Sequence, residues 1–427
     1  MNFQFRILDP TLVYLILAGA SALLHSTMFT VYTVYYVKAV GLNPLQLVLV
    51  GTTLEATALL FEVPTGVVAD VYSRRLSVIL GVFLLGTAFM LVGAIPLFAV
   101  LLLGQVVSGV GYTFMSGATE AWLADEVGEA DVGQVLVRAG QVERVAGLIG
   151  IAISVGLASI QLNLPYLIGG AGYILLGLFL VVMMPEHGFK PAPRKSHNPL
   201  PAMLGVFRDG AQVVRQSPVL LTLLGISFFV GTASEGFDRL GDAHLLANFT
   251  FPRLDGLDPV VWFGILGVTT SVLSLVIIEM WRKRLEDVTR NLSATARVLM
   301  LLNTLWVVGV VAFGLTRSFP LAFVALAVKA VAGSMAGPLY STWLIQNINP
   351  KVRATVISMS SQANACGQIV GGPGVGLIGN LSLRAAIVTA GLLLAPNTLL
   401  YARALKRTDK LENTDFADEA PTIEIVG

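Results

Sequence analysis

The stretch Gly66-Val-Val-Ala-Asp70-Val-Tyr-Ser-Arg74-Arg75 closes one long apolar run and opens the next, setting a glycine, an aspartate four residues on, and then two arginines one turn later. The pattern recurs 209 positions further on as Leu275-Val-Ile-Ile-Glu279-Met-Trp-Arg-Lys283-Arg284, where Leu275 replaces the glycine. Trp122-Leu123 and Trp343-Leu344 stand 221 positions apart, as do Gln141 and Gln362. Coincidences in register argue for a chain made of two duplicated halves.

Composition fixes the medium in which these turns lie. Of 427 residues, 55% are hydrophobic and only 12% charged, whereas a soluble domain carries roughly 25%. Such a chain cannot cover itself with polar surface. The balance of 27 basic against 26 acidic residues leaves no global field to attract nucleic acid. A single cysteine, Cys366, excludes an internal disulfide framework. The scattered His25, His187, His197 and His244 offer no metal-binding spacing. No cofactor or metal is expected. The expected partners are the lipid bilayer and a small molecule, with the chain acting as a monomer.

A hydrocarbon core about 30 Å thick takes roughly 20 helical residues. That ruler finds twelve spans, near 11–37, 44–69, 77–95, 97–124, 136–160, 163–184, 218–246, 259–280, 295–315, 320–347, 354–378 and 383–404. The first is too long for a signal-peptide core and lacks a small-residue cleavage site, so it reads as a retained membrane helix. The longest interruption divides the spans six and six. The expected organisation is a first six-helix bundle over 1–184, a linker over 185–217, a second bundle over 218–404 and an acidic, disordered tail over 405–427. Ala202 to Gln216 mixes apolar residues with Arg208, Asp209 and Arg215, which suits an amphipathic helix lying on the membrane surface.

Orientation follows from Lys and Arg. With the N-terminus inside, one side collects Arg6, Arg74, Arg75, Arg138, Lys190, Arg194, Lys195, Arg208, Arg215, Arg282, Lys283, Arg284, Arg290, Arg297, Lys351, Arg353, Arg403, Lys406, Arg407 and Lys410. The other side holds Lys38, Arg253, Arg317 and Arg384. Both termini are therefore expected in the cytoplasm, in a cell or inner membrane.

On these residues the chain resembles the major facilitator superfamily over essentially its whole length. Gly66, Asp70, Arg74 and Arg75 match that family's signature loop between helices 2 and 3, although Val71 and Ser73 stand where a base and a glycine are usual. Gln105 precedes Gly109 on helix 4 where drug-exporting members often carry an arginine. Gly147, Gly150 and Gly156 of helix 5 lack the proline of the antiporter motif. Its helix 11 counterpart, Gly367-Gln-Ile-Val-Gly371-Gly372-Pro373-Gly-Val-Gly376, is a better match. The resemblance implies an all-α fold of twelve transmembrane helices in two pseudo-symmetric six-helix bundles. It implies that helices 1, 4, 7 and 10 line a central path, that 2, 5, 8 and 11 flank it, and that 3, 6, 9 and 12 face lipid. It further implies that Asp70 faces the second half near the start of helix 11, while Arg74 or Arg75 meets Asp125 or Glu126 at the end of helix 4. Glu279, Lys283 and Arg284 become the counterpart gate.

Elementary physics supports a latch there. Charge-assisted hydrogen bonds from paired arginines to a helix-end carboxylate lock helices together. Topology alone requires the bases but neither Asp70 nor Gly66. Gly66 is expected to let two helices approach closely, and Pro64 to kink helix 2. The helix 11 glycines read as packing residues, with a hinge as the other reading.

A charge at membrane depth costs at least ~2.5–3.5 kcal/mol, so intramembrane ionisable residues mark function by default. They sort into two layers. One holds His25, Glu55, Glu235, Asp238, Arg239 and Lys329. The other, nearer the cytoplasmic ends, holds Glu62, Glu120, Glu143 and Arg144. The expected pairs are Glu120 with Arg144 and Glu235 with Lys329. Glu55 and Glu62 lie seven apart, two turns down one helix face, a spacing suited to passing a proton. Proton coupling needs an unpaired, desolvated carboxylate, and the candidates are Glu55, Glu120 and Glu235, with His25 as a relay or substrate ligand. Against this stands a purely structural role as buried salt bridges. Asp242 and His244 read as loop groups near the outer surface, and Trp122 and Trp343 as interface anchors or packing residues.

These features point to a secondary transporter working by alternating access and driven by an ion gradient. No phosphate-binding glycine loop is present. Proton-coupled export of an apolar or amphiphilic molecule is the leading expectation. Proton-coupled uptake of a polar or anionic metabolite, anchored by Lys329, Arg144, Arg239 or Asp238, is the alternative. A membrane receptor or enzyme is the remote one, since no nucleophile and base pair is visible.

Overall fold

A computed structural model describes residues 8–191, 218–252, 258–346, 348 and 353–406. The proposed amphipathic helix at 202–216 and the acidic tail beyond Lys406 lie outside the described residues.

The described chain forms twelve long helices. The first half holds α1 (Pro10–Val40), α2 (Pro44–Val71), α3 (Arg74–Ala94), α4 (Phe98–Val127), α5 (Glu129–Ile160) and α6 (Leu164–Met183). The second half holds α7 (Pro218–Asn248), α8 (Val261–Thr289), α9 (Leu292–Leu315) and α10 (Phe319–Gln346). It ends with α11 (Arg353–Leu381) and α12 (Leu383–Lys406). All but α11 are apolar enough to cross a membrane unaided. In α11 the residues Ser358, Ser360, Ser361, Gln362, Asn364 and Gln368 lower the hydropathy.

Helix starts sit where the capping chemistry places them. Asp9 accepts from Thr11 N ahead of Pro10, and Asn43 with Gln46 forms a reciprocal capping box ahead of Pro44. Ser73, the residue that departs from the family glycine, is the N-cap of α3 and accepts from Leu76 N. Asn291 and Ser382 cap α9 and α12 in the same way.

Three helices are broken at depth, α12 at Leu394–Ala395 and two in the first half. α1 is interrupted at Thr30–Val31 and resumes through a π-helical turn at Tyr36–Val40, ended by Gly41 at φ 77°. α4 breaks at Ser116–Gly117, where Gly117 takes φ 71°, a left-handed conformation that only glycine adopts without cost. α2 instead stays helical through Pro64. α8 runs on to Thr289, past the expected end at 280. Glu279, Lys283 and Arg284 therefore lie inside a helix and not at a turn.

Lipid removes the hydrophobic drive between helices, so small residues that permit close backbone approach decide packing. α3 is wedged between α4 and α6, with Gly81 against the Gly111 carbonyl and Gly86 against the Gly170 carbonyl. The tightest pairing in the second half is α7 with α11. Trp122 and Trp343 are each 1% exposed. They fill the cores of the two halves, which corrects their reading as interface anchors: the repeat places both on the inner faces of their bundles.

The halves meet asymmetrically. One end of the molecule carries the turn at Tyr72–Ser73 and most of the arginines and lysines; we call it the basic end. The opposite, charge-poor end carries Gly41–Asn43, Ile95–Leu97 and Ser382. Contacts between halves run through α2 with α11 and α7, α5 with α8, and α1 with α7. They concentrate toward the charge-poor end, where Gly372, Gly376 and Gly379 of α11 press on Pro44–Thr52 of α2, and Gly264 of α8 on Val155 of α5. At the basic end of α2, Leu60, Phe61, Glu62 and Asp70 are exposed. Among the described residues, the halves are closed together at the charge-poor end and stand apart at the basic end.

Candidate functional site

A cavity of about 1050 Å³ occupies the centre and is lined by both halves. Its apolar wall comes from the first half: Leu17, Phe29, Leu54, Leu85, Phe89 and Met115. The second half contributes only polar groups, Glu235, Asp238, Arg239 and Gln368. Glu55, Glu120, Glu143 and His25 complete the ionisable lining. α3 and α6 were expected to face lipid alone, yet Phe89 and Tyr173 reach the cavity. α10, expected to line it, supplies no lining residue.

The pairings differ from those expected. Glu235 pairs with Arg239 on its own helix at 3.2 Å, and Lys329 reaches Asp238 at 3.4 Å instead of Glu235. One helical turn costs less side-chain reach than a crossing between helices. The Lys329 ammonium also stands 4.3 Å from the Phe237 ring centroid and 5.5 Å from that of Trp306, a cation–π setting. Glu120 and Arg144 form no pair among the described residues; both are exposed. The open basic end lets water solvate them, so nothing drives them together. Of the proposed basic anchors only Arg239 lines the cavity.

Glu55 is half-buried on the cavity wall and has no ion pair among the described residues, while Arg239 acts on it electrostatically. His25 is exposed to the cavity and stacks on Phe29 at 4.3 Å between centroids. Asp242 and His244, read from sequence as loop groups, lie inside α7. His244 is fully buried against Phe249 and Phe313, because α7 extends to Asn248.

At the basic end, Arg74 Nη1 donates to Asp125 Oδ2 and, at 2.7 Å, to the Ala121 carbonyl, joining α3 to α4 as the resemblance implied. Glu126 instead accepts from the His187 and Gly188 backbone at 2.6 and 2.7 Å. Arg75 Nη2 donates to the Val181 carbonyl at 2.6 Å. Sequence reading missed Glu186: its carboxylate accepts from Ser73 Oγ at 2.7 Å and Arg75 N at 2.9 Å, a negative charge on the N-terminus of α3. An acid directly after the sixth span was the available signal.

Asp70 is exposed and has no ion pair among the described residues; the segment just before α11, its expected neighbour, is outside them. A Cβ on Gly66 would meet nothing within 4 Å. Among the described residues no helix makes the close approach expected there; α2 and α11 touch at the other end. Glu279 pairs locally with Arg282 at 3.1 Å, and Arg284 lies over Trp281 at 4.8 Å; among the described residues neither makes a cross-helix ion pair.

At the charge-poor end, Tyr32 OH donates to the Asp238 carbonyl at 2.7 Å across the halves. Gly51 and Gly372 bracket the Glu235–Arg239 pair. Gly51 also escaped the sequence reading, since one glycine in a long apolar helix carries no distinguishing pattern.

Two six-helix halves around a membrane-buried cavity, sealed at one end and open at the other, define a transporter of the alternating-access type. Residues 14–285 match the sequence model of the Major Facilitator Superfamily, and the chain belongs to that family. It is 23% identical over 385 residues to the uncharacterized MFS-type transporter YxaM of Bacillus subtilis (strain 168), covering 90% of this chain and 93% of that one. The crystal structure of the nucleoside transporter NupG superposes with a TM-score of 0.74 at 16% identity, covering 94% of this chain and 100% of that one. A bacterial homologue of the human lysosomal transporter Spinster, in its inward-facing and occupied conformation, gives 0.72 at 15% identity, covering 93% and 96%.

Proposed function

We propose that the protein exports amphiphilic organic cations in exchange for protons. The carrying observation is the charge on the cavity wall: the carboxylates of Glu55, Glu120, Glu143, Glu235 and Asp238 face it, against the guanidinium of Arg239. Arg239 is already committed to Glu235. An anion would find no free cationic anchor among the described lining residues, whereas a cation finds Glu55, Glu120 and Glu143 without ion-pair partners there. The apolar wall of the first half accepts the hydrocarbon part of such a molecule.

Glu55 is the proposed coupling group. It faces the cavity, carries no ion pair among the described residues and neighbours the buried charges of α7. The basic end, which the charge count assigns to the cytoplasm, is then the entry side. Glu120 and Glu143 near that mouth receive the cation first. The test is proton release from purified protein on adding tetraphenylphosphonium, with an organic anion as comparison. Release by the cation alone supports the reading; release by the anion alone overturns it.

A further inference from the structure

The seam at the charge-poor end is filled by a salt bridge seated where two side chains are missing. Glu235 is 2% exposed and the Arg239 side chain 15% exposed. Gly51 of α2 stands across the seam, and a Cβ there would run into Glu235 Oε1 and Arg239 Nε. From α11, a Cβ on Gly372 would lie 2.9 Å from Glu235 Cγ, 2.9 Å from Val48 Cγ1 and 3.2 Å from Thr52 Oγ1. The pair thus occupies a notch cut by two glycines, one from each half. The same pair borders the cavity.

We infer that Gly51 and Gly372 are positioning residues of the transport cycle: their notch receives the Glu235–Arg239 pair and latches the charge-poor end while the basic end is open. Opening that end withdraws the pair from α2. The atoms that a methyl on Gly51 would meet are side-chain tips, not backbone. Substitution therefore displaces the pair and leaves the helices in place. A buried ion pair forced from a fitted site loses the geometry that offsets its desolvation, so the closed arrangement loses population to the open one. The inference uses the transporter class and is independent of substrate and coupling ion.

Spin labels at Leu97→Cys and Leu381→Cys, 59% and 90% exposed in the parent, report the separation of the halves at the charge-poor end. They are placed in a Cys366→Ser background and the protein is reconstituted in lipid. The parent is expected to give one dominant short distance. Gly51→Ala is expected to move most of the population to longer distances, and Gly374→Ala, whose Cβ meets nothing within 4 Å, to leave it unchanged. In a Glu235→Ala/Arg239→Ala background Gly51→Ala should add no further shift, because nothing then fills the notch. Gly372→Ala crowds Glu235 Cγ from α11, but also Val48 of α2, so it serves only for the shift in the parent background if Gly51→Ala does not fold. Unchanged distances in either folded glycine variant, or an equal shift of Gly51→Ala in both backgrounds, overturn the inference. No transport is measured, so failure of the proposed function leaves this result standing.

Discussion

Arg74, the first residue of α3, is paired with Asp125 on α4, while Asp70, four residues before it, stands exposed without an ion pair among the described residues. One motif is thus divided between two jobs. The arginine half holds the first bundle together in the state seen. The aspartate half has no ion pair among the described residues, and the segment it is expected to meet, just before α11, lies outside them.

The Arg74–Asp125 pair is about a quarter exposed on each side, so its coupling should be that of a partly screened charge-assisted hydrogen bond, about 1–2 kcal/mol. A double-mutant cycle of Arg74→Ala and Asp125→Ala, read by thermal unfolding of the purified protein, should be non-additive by that amount. Additive losses would show that the pair contributes nothing.

Asp70→Asn should leave thermal stability of the ligand-free protein within ~0.5 kcal/mol, as for a surface change, because Asp70 is exposed and has no ion pair among the described residues. Transport should fall all the same if Asp70 belongs to a latch formed when the basic end closes, as the family resemblance implies. A variant that unfolds earlier and transports normally would reverse the assignment.

Glu186 binds the N-terminus of α3 through Ser73 and the Arg75 amide. Glu186→Ala should cost about 1 kcal/mol, the usual loss of a capping interaction, and Glu186→Gln less, since its amide oxygen still accepts. Equal losses in the two variants would mean that the negative charge or the second acceptor oxygen, and not the one hydrogen bond a glutamine keeps, carries the effect.

The span pattern was legible because lipid forces each crossing to satisfy its own backbone. In the structure, caps such as Asn43 and Ser382 set the starts of α2 and α12. α11 was legible by length despite its serines and glutamines, and Gly367 to Gly376 then supplied the resemblance to the family motif. What stayed hidden depends on three-dimensional company. Gly117 breaks α4, whereas Gly66 and Gly147 sit inside intact helices, and no local pattern separates them. Glu235 had two possible basic partners, and the choice of Arg239 over Lys329 was set by helix geometry. Gly51 became informative only when α7 was placed against it.

The cavity wall makes opposite demands on Glu55 and Lys329. Glu55 faces the cavity without an ion pair among the described residues, so Glu55→Gln should abolish proton flux in proteoliposomes while cation-for-cation exchange continues. Lys329 is held by Asp238 and the Phe237 and Trp306 rings behind the wall. Lys329→Gln should therefore leave cation transport within about threefold of the parent, the size of a ~0.5 kcal/mol change. An essential Lys329 combined with a dispensable Glu55 would instead place an anion anchor at the centre of the site, and would replace the cation exporter with an anion carrier. Flux assays on the two variants, run side by side with a lipophilic cation and an organic anion, decide between those outcomes.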